Sequence, residues 1–287
     1  MKKQILFLIA SLLFSVTAFA GGPWPKKKGT GFYKLAQIWI IADQHFTDMG
    51  GLDPNTTFAT YSTNFYGEYG ITDRLTGVVY APFFVRSLFY NTISETTGDL
   101  LKAGEALNDF GDLDIGLQYG LVTDKAVVAS VGLTLGFPTG NPGGGSEGNL
   151  QTGDGEFNQL LRLDVGTSRR LGDVDTWYSA YAGFNNRTND FSDEIRYGVE
   201  AGGQFLDRKL LGLVRVFGIS SLKNGTPSAF SNSTSLFANN AEFLAISPEI
   251  GYNISENVGI SANVAFAVWG RIILAAPTYS VGVYMNL

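Results

Sequence analysis

Charged side chains of both signs recur at alternate positions along this chain, each opposite a run of apolar neighbours. Successive side chains of a β-strand point to opposite faces, so these charges share one face of their strands. Facing lipid, an arginine at mid-depth would cost roughly 2–4 kcal/mol. We therefore predict that they line a lumen, where they either pair across it and plug it or wet a pore. The candidates are Glu68, Arg86, Asp112, Asp114, Arg162, Asp164, Glu194, Arg196, Glu200, Glu249 and Arg271.

Catalytic and metal-binding chemistry finds little support among the other residues. The chain has one histidine, His45, without a serine at a spacing that would suit a Ser–His pair, and it has no cysteine. A lone histidine excludes a two-histidine metal site, and the lack of thiols excludes zinc–thiolate sites and thiol catalysis. Asp109, Asp112 and Asp114 are close enough to suggest calcium, but EF-hand spacing is missing, which favours a solvated or arginine-paired set. We predict no enzyme, no metal and no cofactor.

The strands that must hold these charges are clearest between Gly111 and Gly140. Two stretches of about ten residues alternate apolar with small or polar side chains, and the short turn Thr123–Lys125 joins them. Strict alternation over this length predicts an antiparallel hairpin. Strands of this length are closer to membrane-crossing strands than to the usual five or six residues.

Composition supports a membrane β-barrel. Charged residues make up 16% of the 287 residues, whereas soluble domains usually contain about 25%. The chain contains 36 glycines and 13% aromatic residues, and its net charge of −6 argues against nucleic-acid binding. Residues 1–20 have the charged start, apolar core and Ala18–Ala20 cleavage site of a signal peptide.

The rest of the chain repeats the hairpin pattern. About twelve strands are predicted, and tight turns alternate with long polar loops, as in outer-membrane barrels with short periplasmic turns. The facing of the first, seventh and ninth strands stays open. Residues 87–110 read as a surface loop with one helical turn or as a loop folded into a pore, and Pro248 predicts a local bulge. We predict a signal peptide (1–20), a periplasmic lead-in (21–30) and one up-and-down transmembrane barrel (31–287).

Two segments resemble known outer-membrane sequences. The last strand, with apolar residues alternating back from Leu287, resembles the C-terminal targeting signal of outer-membrane proteins, although Leu287 replaces the usual aromatic residue. The segment GDLDIGLQY from Gly111 and the pair GFPTG and TGDG, from Gly136 and Thr152, resemble motifs of the outer-membrane family called MetA-pathway of phenol degradation, or phenol degradation protein meta. The resemblance implies a channel for small hydrophobic or aromatic compounds, and it implies no catalytic residues.

These observations predict a protein of the Gram-negative outer membrane that passes small molecules without energy input. The alternative is a structural or adhesive barrel that acts through its long surface loops. The expected partners are outer-membrane lipid, the barrel-assembly machinery (through the C-terminal strand) and a small solute, with no nucleic acid.

Overall fold

The structure is a computed structural model that describes residues 22–226 and 237–287. The predicted signal peptide, residues 1–20, lies outside the described residues. The described residues form sixteen β-strands and no α-helix. In chain order they are β1 Gly31–Phe46, β2 Leu52–Gly70, β3 Leu75–Phe89, β4 Thr92–Ile93, β5 Leu100–Lys102, β6 Glu105–Asp109, β7 Leu113–Val122, β8 Val127–Phe137, β9 Asn158–Leu171, β10 Val174–Arg187, β11 Glu194–Phe205, β12 Leu210–Ser221, β13 Glu242–Asn253, β14 Val258–Arg271, β15 Ile273–Leu274 and β16 Thr278–Asn286.

One antiparallel sheet closes on itself as a twelve-stranded barrel, which confirms the predicted fold class. Closure occurs at β1, where Leu35 pairs with Val283 of β16 on one side and with Phe65 of β2 on the other. β6 and β7 pair one after the other with β3, so together they count as one of the twelve. β15 pairs with the end of β1, and β4 and β5 form a small hairpin outside the barrel wall.

Short connections gather at one rim of the barrel and longer ones at the other. The short rim carries connections such as 71–74 and 172–173, whereas the long rim carries 138–157 and the connection from 222 to 241. Both ends of the barrel sequence meet at the short rim, where the Gly31 N–H donates to the Leu287 carbonyl at 3.0 Å. In outer-membrane barrels the short turns face the periplasm, and the rims are named accordingly below.

The apolar face of the strands forms the outer surface. In β7, Ile115, Leu117 and Tyr119 are 48%, 52% and 45% exposed, while the intervening Gly116 and Gln118 point inward. An apolar exterior around a polar interior is the arrangement that lipid requires of a barrel. Exposed aromatic residues lie close to the periplasmic turns, as in an interfacial girdle: Tyr69, Tyr119, Phe205 and Tyr252.

Two local predictions were wrong. Leu100, Ala103 and Leu107 have helical spacing, but the backbone around them pairs instead: Leu100–Lys102 with β4 and Glu105–Asp109 with β3. Cross-strand hydrogen bonds outweighed the spacing of three apolar residues. No helix within the described residues is long and apolar enough to cross a membrane.

Pro248 causes no bulge, because it stays in regular register with Val214 of β12. On the other side, the pairing with β14 is interrupted at Ser247 and Pro248 and then resumes without a register shift. The Asn263 side chain donates to the Pro248 carbonyl at 2.9 Å and to the Ser247 hydroxyl at 2.5 Å. A side chain thus supplies bonds where the ladder is interrupted.

Two glycines allow large rings to lie flat against the inner wall. A Cβ atom at Gly202 would lie 2.2 Å from the Trp177 indole, and one at Gly259 would lie 2.3 Å from the Tyr284 ring. Trp177 and Tyr284 both belong to a buried apolar cluster near the periplasmic rim. These close approaches require glycine, because either ring would have to leave the wall if a side chain were present.

We expect Gly202→Ala to push Trp177 off the wall and to lower the unfolding free energy by about 1–3 kcal/mol, the usual cost of overpacking. Urea titration of the refolded protein measures this change, with heat-modifiable gel migration as the check for a closed barrel. Gly132→Ala is the matched control, because its Cβ would meet nothing closer than the Leu117 carbonyl oxygen at 3.7 Å. Wild-type stability in Gly202→Ala would contradict this account of the ring packing.

Candidate functional site: the barrel lumen

Most of the predicted lumen residues point into the barrel, on the side opposite the exposed apolar residues. Asp112 lies between β6 and β7, where its carboxylate accepts hydrogen bonds from the 138–157 loop. Eight of the predicted residues lie on strands and point into the lumen: Glu68, Asp114, Arg162, Asp164, Glu194, Arg196, Glu200 and Glu249.

Arg86 and Arg271 lie instead on the outer side, near the extracellular rim. A β-bulge at Phe83 shifts the alternation of β3 before Arg86, which is exposed. A second bulge at Val268 does the same in β14, and the Arg271 guanidinium lies 5.5 Å from the ring of the exposed Trp269. One extra residue sends all the following side chains to the opposite face, and the sequence pattern does not reveal it.

A continuous chain of charged hydrogen bonds runs along the inner wall, from mid-barrel at Arg215 toward the periplasmic side. Glu200 accepts from the Trp177 indole N–H and from Arg215 Nε, both at 2.6 Å. Arg215 Nη1 also donates to Glu249 at 2.6 Å, and the other Glu249 oxygen accepts from Lys34 Nζ at 2.7 Å. Opposite charges alternate along this chain, so the buried carboxylates are compensated.

Two further ion pairs join residues two apart on one strand. Arg162 Nε donates to Asp164 at 2.9 Å on β9, and Arg196 Nη2 donates to Glu194 at 2.9 Å on β11. The Arg162 guanidinium also lies 4.0 Å from the centre of the Tyr181 ring, a favourable cation–π distance. Residues two apart share a face, so both partners of each pair were predicted to line the lumen, although pairing along one strand was not predicted.

The loop 138–157 folds against the inside of the wall. The Ser87 hydroxyl, fully buried on β3, donates to the Gln151 carbonyl at 2.5 Å. Asp112 accepts the backbone N–H of Gly140 at 2.9 Å and that of Asp154 at 2.8 Å. The GD, PTG and TGDG segments that stood out in the sequence therefore contact one another, with Asp112 joining the two ends of the loop.

A buried ion cluster lies beside this loop, at the extracellular ends of β10 and β11. Arg187, 2% exposed, contacts Glu156 and Glu194 directly, the latter at 2.7 Å, and Asp154 lies 3.7 Å away. Three carboxylates therefore surround one guanidinium. Burial, together with the charge of Asp154, raises the pKa of Glu156 to about 8 despite the attraction of Arg187. Within the described residues, Glu156 Oε2 has no hydrogen-bond partner.

Residues 22–30, predicted as a periplasmic lead-in, instead enter the periplasmic mouth of the lumen. The Gly22 carbonyl accepts from Gln118 of β7 at 2.8 Å. Lys26 forms a salt bridge with Glu68 of β2 at 3.2 Å, and its backbone N–H donates to the Thr76 hydroxyl at 2.8 Å. These partners stand on different strands, so the segment crosses the opening.

Apolar packing completes this closure. Trp24 packs against the cluster formed by Phe32, Trp177, Leu211, Leu213 and Tyr284. β1 and β10, which carry Phe32 and Trp177, stand opposite each other in the twelve-stranded order. One apolar cluster therefore spans the lumen near its periplasmic end, and we call it, together with residues 22–28, the periplasmic plug.

His45 lies near the extracellular end of β1, where it pairs with Leu274 of β15. Among the described residues, no group of three or more histidine, cysteine, aspartate or glutamate side chains could hold a metal ion. Asp109, Asp112 and Asp114 do not converge on one point. Asp112 accepts a hydrogen bond from the loop backbone at Gly140, whereas Asp109 accepts one from the Phe110 N–H.

Sequence reasoning missed several residues of the lumen. Lys34 and Arg215 stand on the first and ninth strands, whose facing the pattern left open. Arg187 follows the predicted end of the seventh strand, and Asp154 and Glu156 lie in a loop that carries no periodicity. Their only signal was charge, because a strand or a loop without clear alternation gives no indication of which side its residues face.

Among solved structures, the chain is similar to an outer membrane channel from Pseudomonas putida F1, with a TM-score of 0.61 and 12% sequence identity over 94% of this chain and 100% of that chain. It is also similar to the NanC porin, with a TM-score of 0.52 and 8% identity over 89% and 100% of the two chains. No family model and no curated protein matches the sequence.

At these identities the likeness concerns the fold, which is that of outer-membrane β-barrels. With its apolar outer band, the closed barrel is a protein of the outer membrane. The narrower resemblance to the phenol degradation family stays a hypothesis.

We expect Arg187→Ala to loosen the extracellular end, because it leaves three buried carboxylates without their shared cation. Breaking a buried ion pair from one side typically costs about 3–5 kcal/mol. Limited proteolysis of the 138–157 loop in the refolded protein should become much faster. Arg86→Ala, at an exposed arginine, is the control, and equal cleavage rates in both variants would contradict the role of Arg187.

The stability of this loop should also depend on pH through Glu156. Its pKa of about 8 in the folded protein lies above the ordinary value of 4.5. The neutral form therefore stabilises the loop at low pH, and this contribution is lost as the pH rises from the ordinary pKa through 8. We expect hydrogen-exchange protection of the loop to fall between pH 6 and pH 9 in the wild type but less in Glu156→Gln. An identical fall in both proteins would contradict the raised pKa.

Proposed function

We propose that this protein is an outer-membrane channel for the passive passage of small solutes, closed at its periplasmic mouth in the conformation described. The observation that carries the proposal is the inner wall itself. It holds several ion pairs with partly exposed guanidiniums, in a barrel of twelve strands. Such a barrel is wider than the eight-stranded kind that side chains alone can fill.

The periplasmic plug determines when solute passes. Its salt bridge between Lys26 and Glu68 and the packing of Trp24 are non-covalent, so residues 22–28 can leave the mouth while β1 stays in the sheet. Passage requires this displacement, or a shift of the apolar cluster beneath it.

The chemistry favours transport rather than catalysis, since the charged groups of the lumen are bonded to one another and His45 stands apart near the extracellular end of β1. Outer-membrane lipid covers the apolar outer band, and assembly proceeds through the C-terminal strand β16. The resemblance in the hairpin suggests hydrophobic or aromatic solutes. Tyr66 and Tyr181 are aromatic residues of the lumen that would lie near such molecules, Tyr66 packed against the apolar cluster and Tyr181 against the Arg162 guanidinium.

A second candidate function is a non-transporting barrel that acts through its extracellular loops. The closed periplasmic mouth favours it, because a permanently plugged barrel would present the same contacts. Conductance separates the two, since only a channel has a state in which ions cross.

We expect the refolded protein to show low or intermittent conductance in planar bilayers, and Trp24→Ala with Lys26→Ala to raise it several-fold. The double substitution removes the apolar anchor and the salt bridge of the plug. Single-channel recording measures the open probability and the step size.

Lys28→Ala is the matched control within the same segment, because Lys28 is exposed and its hydrogen bond to the other described residues is made by its backbone N–H, to Asp73 at 3.1 Å. It should leave the conductance at the wild-type level. If neither the wild type nor the double variant shows channel steps, although gel migration shows a folded barrel, the channel proposal fails and the structural role is favoured.

A further inference from the structure

The ion pairs of the inner wall are asymmetric in their exposure. The side chains of Arg162, Arg196 and Arg215 are 29%, 33% and 29% exposed, whereas the carboxylates paired with them are between 4% and 13% exposed. All three arginines point inward, so the space that they meet is the lumen. The wall thus presents cations to the lumen and keeps their counter-charges behind them.

The buried carboxylates already accept hydrogen bonds from the protein. Both oxygens of Glu200 accept hydrogen bonds, from Trp177 and Arg215, and both oxygens of Glu249 do so, from Lys34 and Arg215. A guanidinium has five N–H donors, and the hydrogen bonds of Arg215 to other described residues use two of its nitrogens. At Arg215 the donors therefore face the lumen, while the carboxylates that it binds lie behind it.

The three arginines serve one section of the lumen. Arg196 stands near the extracellular end of β11, while Arg162 and Arg215 lie further toward the middle of β9 and β12. All three guanidiniums lie within electrostatic range of the Tyr181 hydroxyl. Arg162 and Arg215 are also within electrostatic range of the Tyr66 hydroxyl, on the other side of the barrel. Carboxylates lie near this group as well: Asp114 is within electrostatic range of Arg196, and Glu68 accepts a hydrogen bond from the Tyr66 hydroxyl.

We infer that this lumen selects small organic anions, in particular carboxylate-bearing solutes, and that Arg162, Arg196 and Arg215 determine the selection. A guanidinium binds a carboxylate through two parallel hydrogen bonds and is more weakly hydrated than an ammonium group, which suits transient binding in a passage. Tyr181 beside Arg162, and Tyr66 across the lumen, accommodate an apolar body attached to the carboxylate. The inference rests on the proposed function, because it assigns a solute class to the same lumen.

The test is the reversal potential in planar bilayers under a potassium chloride gradient at low ionic strength, where charges are least screened. The wild type and Trp24→Ala with Lys26→Ala should both pass chloride in preference to potassium, and potassium acetate should carry current as well. Arg162→Gln with Asp164→Asn removes one exposed guanidinium together with its recessed partner, which leaves the net charge unchanged. We expect this pair variant to lower the chloride-to-potassium permeability ratio by about twofold or more.

Arg86→Gln is the control, because it changes the net charge but lies on the outer side of the barrel. It should leave the permeability ratio unchanged. A preference for potassium in the wild type, or an unchanged ratio in the pair variant, overturns the inference while leaving the channel itself intact.

A complete absence of conductance would instead refute the proposed function, and anion binding then tests the inference by itself. Chloride NMR line broadening measures exchange of chloride at the arginines of the refolded wild type. Stronger broadening in the wild type than in the Arg162→Gln, Asp164→Asn variant supports anion recognition, and equal broadening overturns it.

Discussion

Closure of the sheet is the constraint from which the other features follow. Backbone N–H and C=O groups have no partner in hydrocarbon, so a strand protein in lipid must pair every edge. Here β1 meets both β2 and β16, and the sheet forms a ring. Once the ring is closed, every strand has one face toward lipid and one toward the lumen. The apolar exterior, the charged interior and the two unequal rims are consequences of that division.

The interior avoids the cost of buried charge by pairing almost all of it. Glu200, Arg215, Glu249 and Lys34 alternate in sign along the wall, and Arg187 holds together the acidic groups at the extracellular end. Pairing of this kind is weak evidence for stability, because desolvation offsets much of the attraction. Its clearer effect is on side-chain position. The pairing holds some charged groups exposed to the lumen and keeps their partners buried in the wall.

Sequence patterns predicted the fold well, because lipid imposes a strict period of two on the strands. The hairpin at Gly111–Gly140 shows this period along both strands except for one bulge at Leu121 near its turn, and the twelve-stranded closed barrel followed from repeats of the pattern. Arg86 and Arg271 were misplaced because a bulge adds one residue and leaves the amino-acid types unchanged. Lys34 and Arg215 were missed because their strands are apolar or irregular on both faces.

The inward course of residues 22–30 had no sequence signal at all. Proline and lysine in an aperiodic stretch indicate only the absence of regular structure. The partners of this segment, such as Glu68, Gln118 and the apolar cluster around Trp177, are brought together by closure of the ring. A contact that depends on the whole fold has no local signature, and the same holds for the contacts of the 138–157 loop.

The plug is covalently continuous with β1 through residues 29 and 30, and this short tether determines how the plug behaves once it is released. A tethered group samples the mouth at an effective concentration on the order of millimolar. Re-closure is then a unimolecular step whose rate is independent of how much protein the membrane contains. Opening of this mouth should accordingly consist of brief excursions from the closed state, and a separate peptide with the sequence of residues 22–28 would compete poorly with the tethered copy.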